Sequence, residues 1–117
     1  SKTPTAETYV DLRHNRTGET ALREVFEELG LAEAETVVGF GSSDIGNVSY
    51  ACPAFHPTLA VHDTAPVHTR EFAEAMLSER AHRMLGVGAK LIAWDIAKIF
   101  SDGEKVRTLR EDFVRGC

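Results

Sequence analysis

Apolar side chains recur at helical spacing in three stretches of the chain. In the first, Leu22, Val25, Phe26 and Leu29 fall at i, i+3, i+4 and i+7, while Glu19, Arg23, Glu24, Glu27 and Glu28 cover the remaining surface. This predicts an amphipathic helix starting near Thr17 to Thr20 and stopping at Gly30, a residue free to take the left-handed conformation common at helix ends. In the second, Ala81, Leu85, Gly88, Ile92, Ile96 and Ile99 mark one face, and Met84, Val87, Leu91 and Trp94 widen it. A helix from about Ser78 to Phe100, roughly 35 Å long at 1.5 Å per residue, should therefore bury much of its surface, with Gly86 and Gly88 letting another element pack close. Asp102-Gly103 breaks it. Val106, Leu109, Arg110 and Phe113 then predict a last short helix docked on the long one. Thr69 is placed to cap a short helix through Met76.

Between these stretches the pattern changes. Thr36 to Phe40 is β-branched and aromatic and reads as a strand, Thr58 to His62 as a buried strand, and Thr8 to Leu12 as a short one. Gly41 to Asn47 is the densest turn chemistry in the chain; Val48 to Ala51 fits a helical turn or a short strand. Pro53 and Pro57 keep the following backbone out of regular helix. The order helix, strand, loop, strand, helices predicts an α/β fold, a partial layered sheet of two or three strands with a long C-terminal helix. So thin a sheet, beside so apolar a helix, reads as part of a larger core. Residues 1–16 are a polar lead-in without a period, and 17–117 carry the fold.

Composition narrows the classes. At 117 residues the chain holds one domain, and 43% apolar residues are enough for a core. A net charge of −5 argues against binding nucleic acid with the whole surface. The most apolar window, Leu85 to Phe100, is interrupted by Lys90, Asp95 and Lys98, so no stretch reaches the ~18 apolar residues of a membrane span. The opening Ser1-Lys2-Thr3-Pro4-Thr5 has no apolar h-region. The two cysteines, Cys52 and Cys117, form neither a zinc knuckle nor a disulfide framework. The expectation is a soluble, cytoplasmic protein in a reducing compartment, with neither nucleic acid nor membrane as partner.

Few residues offer chemistry. Asp44, in Gly41-Ser42-Ser43-Asp44-Ile45-Gly46, can serve a turn, cap a helix, or face a cation or substrate. Gly41 and Gly46 permit close approach to the main chain, by a ligand or simply by the turn. His56, His62 and His68 are evenly spaced by six, but a fully extended chain would put the outer pair roughly 40 Å apart, so a three-histidine zinc site requires the chain to double back. His68 stands out among them because it sits in a loop just before a helix cap. His14 and His82 read as solvated, as do Glu27 and Glu28 on the polar face of their helix. Cys52 has no nearby cation to activate it and reads as a buried, inert thiol.

Three ordered motifs carry a family resemblance: Gly41-Ser-Ser-Asp-Ile-Gly-Asn-Val-Ser-Tyr50, Pro53-Ala-Phe-His-Pro57 and His68-Thr-Arg-Glu-Phe72. They resemble the C-terminal part of the catalytic domain of the metal-dependent amidase/aminoacylase/carboxypeptidase family. The nearest pattern is that of its aminobenzoyl-glutamate hydrolase and dipeptidase-like branch, G-S-T-D-M-G-N-V-S, P-x-I-H-P and H-T-P-E-F-A. The likeness runs from about residue 17 to 102 and implies a fragment of a zinc-peptidase-like α/β/α domain, with 17–117 as the C-terminal part of the catalytic domain and 1–16 as a lead-in or the remnant of a lid junction. It implies that His68 is the last histidine ligand of a two-zinc site, and that Gly41, Ser42, Ser43 and Asp44 form the loop beside the substrate cleft. The substrate of the complete enzyme would be an N-acyl-amino acid or a dipeptide, cleaved at its amide bond. Arg70 departs from the proline that usually starts the helix after the histidine. The family's His-x-Asp motif is absent, and Glu27-Glu28 lies inside a helix rather than in the family's Gly-rich setting. The resemblance therefore implies an inactive piece, with no catalytic residue of its own, that does not hold zinc stably alone. The alternative is a non-enzymatic module that completes its sheet with a second copy or with a separate N-terminal chain.

Overall fold

Five helices, and no strand, form among the residues that the computed structural model describes, 8–32 and 43–116. They are α1 (Arg16–Glu28), α2 (Ile45–Ser49), α3 (Arg70–Ala75), α4 (Glu79–Phe100) and α5 (Gly103–Arg115). The expected α/β architecture, a partial layered sheet and with it a fragment of an α/β/α domain, is not what these residues build. The strand read at Thr36 to Phe40 lies outside the described residues. Thr8 to Leu12 and Thr58 to His62 pair with no ladder. The main chain of the first is held instead by side chains of α2: Val10 N donates to Asn47 Oδ1 at 3.3 Å, and Asn47 Nδ2 donates to the Thr8 carbonyl at 3.1 Å. The segment from Pro53 onward lacks N–H groups at both prolines, which removes ladder donors.

The helix boundaries follow the caps. Asn15 Oδ1 accepts from Gly18 N at 3.0 Å to open α1. Thr69 Oγ1 accepts from Phe72 N for α3, Ser78 Oγ from Ala81 N for α4, and Asp102 Oδ1 from Glu104 N and Lys105 N for α5. Gly30, just past α1, takes φ +68° as its position required. The undecided Val48 to Ala51 stretch divides: Val48 and Ser49 end α2, and Tyr50 and Ala51 form the turn after it.

The core lies where α1, α4 and α5 pack on one another. Ala21 and Val25 come from α1, Ala81, Leu91 and Ile99 from α4, and Leu109 from α5. Phe55, from the chain between α2 and α3, lies against Ala21, Ile99 and Leu109. A Cβ on Gly18 would run into the Phe55 ring, so only glycine lets this segment lie on α1.

The burial of α4 is much less than its sequence implies. Leu85 and Phe100 are each 73% exposed, and Ile92, Trp94 and Ile96 are each more than half exposed. Of α4 only Ala81, Leu91 and Ile99 are buried. Gly88 meets Leu59, whereas nothing approaches Gly86. Among the described residues no helix is long and apolar enough to cross a membrane.

With so small a core, polar clamps hold α1 to α5. Asn15 is 2% exposed, and its Nδ2 donates to the Leu109 carbonyl at 2.9 Å while its Oδ1 caps α1. Asp112 Oδ2 accepts from Thr17 N at 2.9 Å and Thr17 Oγ1 at 2.7 Å. Those hydrogen bonds from Thr17 hold the Asp112 carboxyl below the usual aspartate range. Asn15→Ala removes a cap and leaves a buried N–H without its acceptor, so it should cost about 2 kcal/mol or more. Asp102→Ala, at an exposed cap, should cost about 1 kcal/mol. Urea denaturation of both variants checks the difference.

Candidate functional site

The Gly46-Asn47-Val48-Ser49-Tyr50 part of the first motif is occupied with structure. Residues 8–13 run along α2, and four of the five residues receive or brace them. A Cβ on Gly46 would collide with the Val10 carbonyl, so the close approach that glycine permits here is to the protein's own main chain. Asn47 exchanges two hydrogen bonds with that segment, as above. Ser49 is buried; its Oγ accepts from Arg13 N at 2.9 Å and donates to the Gly46 carbonyl at 2.5 Å. The Tyr50 hydroxyl donates to Asp11 Oδ1 at 3.3 Å, and its ring lies under the Arg13 guanidinium. Arg13 also stacks on Phe113 and donates to its carbonyl at 2.8 Å. This chain of contacts links α2 to α5.

The residues preceding α2 are free of such duties. Ser43 and Asp44 are exposed. Ser43 Oγ accepts from Ile45 N at 3.3 Å. Asp44 occupies the N-cap position, but its carboxylate does not cap the helix. Gly41 and Ser42 lie outside the described residues.

The three evenly spaced histidines have separate roles. His56 sits at the rim of a groove described below. His62 Nδ1 accepts from Thr64 N at 3.1 Å and Ala65 N at 2.9 Å, which folds its own loop. His68 is exposed and takes φ +66°, the one non-glycine residue at positive φ among the described residues. Thr69 imposes this: its hydroxyl donates to the Pro66 carbonyl at 2.6 Å and accepts from Phe72 N at 3.2 Å, fixing the chain on either side of the imidazole. Left-handed backbone at a side-chain-bearing residue is a cost borne at functional positions more often than elsewhere. Yet no three His, Cys, Asp or Glu side chains gather to hold a metal among the described residues.

Other readings change with the structure. Cys52 is exposed, not buried. His14 is solvated, beside Glu19 at 2.7 Å, and His82 is likewise exposed. Glu27 faces solvent, but Glu28 accepts from both Trp94 Nε1 and Lys98 Nζ, and Lys98 also meets Glu24 at 2.9 Å. The bonds from Lys98 and then Trp94 hold the Glu28 carboxyl low, and the two glutamates, Glu28 first, hold the Lys98 ammonium high. This pins α1 to α4 and makes Glu28 a poor proton acceptor.

A further groove, lined in part by Phe55, His56 and Pro57 of the second motif, lies between α1 and α4. It measures about 400 Å³ and is walled by Leu22, Phe55, Pro57, Leu91 and Ile96, with His56 and Asp95 as its polar lining. Asp95 Oδ1 is buried there with no hydrogen-bond partner among the described residues. Burial pushes its carboxyl above the usual aspartate range, against a smaller opposing pull from Lys98. The signal in the sequence is an acid at helical spacing between Leu91 and Ile99, on the buried ridge.

The backbone at His68 makes a testable distinction. His68→Gly should fold with stability within about 0.5 kcal/mol of the parent, whereas His68→Val, whose β-branch tolerates positive φ badly, should lose more than about 1 kcal/mol. Thermal or urea unfolding of the two variants reads this directly.

No protein-family model matches the chain. No solved structure matches it. Among characterised proteins, the chain is 34% identical to Xaa-Arg dipeptidase of Homo sapiens over 73 residues, which make up 62% of this chain and 17% of that protein. The chain thus corresponds to about a sixth of the relative's length. The likeness is partial, and it is to a dipeptidase.

Proposed function

We propose that the chain is a piece of a metal-dependent amidohydrolase that cleaves the amide bond of a dipeptide or an N-acyl-amino acid, and that it is inactive alone. The observation that carries this reading is the 73-residue likeness to Xaa-Arg dipeptidase. The left-handed, solvent-facing His68 supports it, because a strained imidazole beside a helix start suits a residue retained for its ring. In the complete protein His68 would be one donor to a metal, and Gly41, Ser42, Ser43 and Asp44 would flank the substrate.

The described residues do not fit a zinc site by themselves. Four donors are the norm for zinc, and His68 has no two companions of the right type nearby. Glu28 cannot serve as the base, because its carboxylate is engaged by Lys98 and Trp94. Purified chain incubated with zinc chloride and an Xaa-Arg dipeptide should release no arginine above the buffer blank. Turnover at about 1 per second or faster, an enzyme-like rate, would overturn the claim of inactivity.

A second reading, a non-enzymatic assembly module, is favoured by one observation. Leu77, Leu85, Phe100 and Val114 are each more than 70% exposed, beyond what scattered surface residues require. The motive for such pairing is this apolar surface and no longer a sheet edge. On this reading sedimentation velocity should show mass rising with concentration; a strict monomer throughout would reject it.

A further inference from the structure

We propose that the face of α2 that holds residues 8–13 is a recognition site for an extended peptide segment bearing an arginine, and that the chain fills it with its own strap. This inference does not depend on the hydrolase reading, which rests on His68 and residues 41–44. The occupant is on view, because residues 8–13 lie along α2 as a bound peptide would. Asn47 Oδ1 accepts from Val10 N and Asn47 Nδ2 donates to the Thr8 carbonyl, two groups that share one edge of an extended chain. Ser49 Oγ accepts from Arg13 N. A Cβ on Gly46 would lie 1.9 Å from the Val10 carbonyl oxygen, so the main chain of the strap sits directly on the helix. Contacts of this kind hold any sequence, and main-chain hydrogen bonds supply affinity where extended peptides are recognised.

Selectivity comes from two side chains of the strap. The Arg13 guanidinium lies over two rings, 5.7 Å from the Tyr50 centroid and 5.0 Å from that of Phe113, and donates to the Phe113 carbonyl at 2.8 Å. Gly116, at φ +80°, borders it with bare main chain; a Cβ there would stand 3.1 Å from Arg13 Nη2. A planar, permanently charged guanidinium stacks on rings as an ammonium does not. The Tyr50 hydroxyl donates to Asp11 Oδ1, which favours a carboxylate two residues before the arginine. The occupant is lightly held, since residues 8 to 11 are all exposed. The junction of α1 with α5 is closed separately by Asn15 and by Thr17 with Asp112, so the strap can leave without undoing the fold. An arginine-bearing segment of another protein then competes for the same contacts.

The test uses the full chain with isotope-labelled backbone amides, followed by NMR, with Arg13→Ala to loosen the strap and empty the arginine slot. The probe is acetyl-Tyr-Val-Asp-Leu-Arg-amide, whose acetyl group supplies the carbonyl that Thr8 supplies in the chain; its counterpart ends in lysine. In the variant the arginine peptide should give saturable shifts at the amides of Gly46, Asn47, Ser49, Tyr50 and Phe113. It should bind about fivefold or more tighter than the lysine peptide. The unaltered chain should bind it about fivefold or more weakly than the variant does, because a tethered competitor acts at roughly millimolar concentration. Equal binding by the two chains, no preference for arginine, shifts centred elsewhere, or no saturable shift would each overturn the proposal. Should Arg13→Ala not fold, Val10→Pro takes its place with the same expectations: it withdraws one donor from Asn47 and leaves every residue of α2 and α5 unaltered.

Discussion

The fold depends on one buried amide. Asn15 closes the first turn of α1 with its carbonyl oxygen and holds the Leu109 carbonyl of α5 with its amide nitrogen. It therefore sets where α1 begins and where α1 lies relative to the C-terminal helix. Thr17 and Asp112 repeat the link one turn along, and Arg13 repeats it on the other side through Phe113. Once α1 and α5 are fixed, α4 lies across both, and Phe55 fills the gap beside Gly18. A larger domain can rely on its core for orientation. Among its described residues this one buries six apolar side chains, two of them alanine, and relies on directional bonds.

The helices were legible in the sequence because their signals are local. Apolar periodicity and the caps at Thr69 and Ser78 need only neighbouring residues to take effect, and those elements form as read. The sheet was not legible, because a strand is an agreement between distant segments. Thr8 to Leu12 looks β-branched and aromatic enough to pair, yet its main chain is met by the side chain of Asn47, which no pattern of apolar residues announces. The long helix misled for a related reason. Periodicity shows that α4 could be covered on most sides, and only the structure shows that Ala81, Leu91 and Ile99 alone are buried.

The candidate site was legible in part. The motif after Gly41 divides at Ile45: the residues before it are exposed where described and make only local hydrogen bonds, and those after it hold residues 8–13 in place. Small and polar residues suit both duties, so composition could not separate a ligand-facing loop from a docking platform. His68 is distinguished by its backbone, and that strain comes from the Thr69 cap, a feature of the sequence whose consequence appears only in three dimensions. Asp95 shows the reverse case. It seemed an interruption of an apolar window, and it is the one buried oxygen without a partner among the described residues.

The most direct measurement of the central claim is native-state amide hydrogen exchange at the start of α1 compared with the start of α5. Both first turns are capped by a side chain, but only α1 is joined to another helix through its cap. If Asn15 and Asp112 organise the fold, the Thr17 and Gly18 amides exchange only when the whole domain opens, far more slowly than those of Glu104 and Lys105. Exchange of all four at the same fast rate would contradict the account.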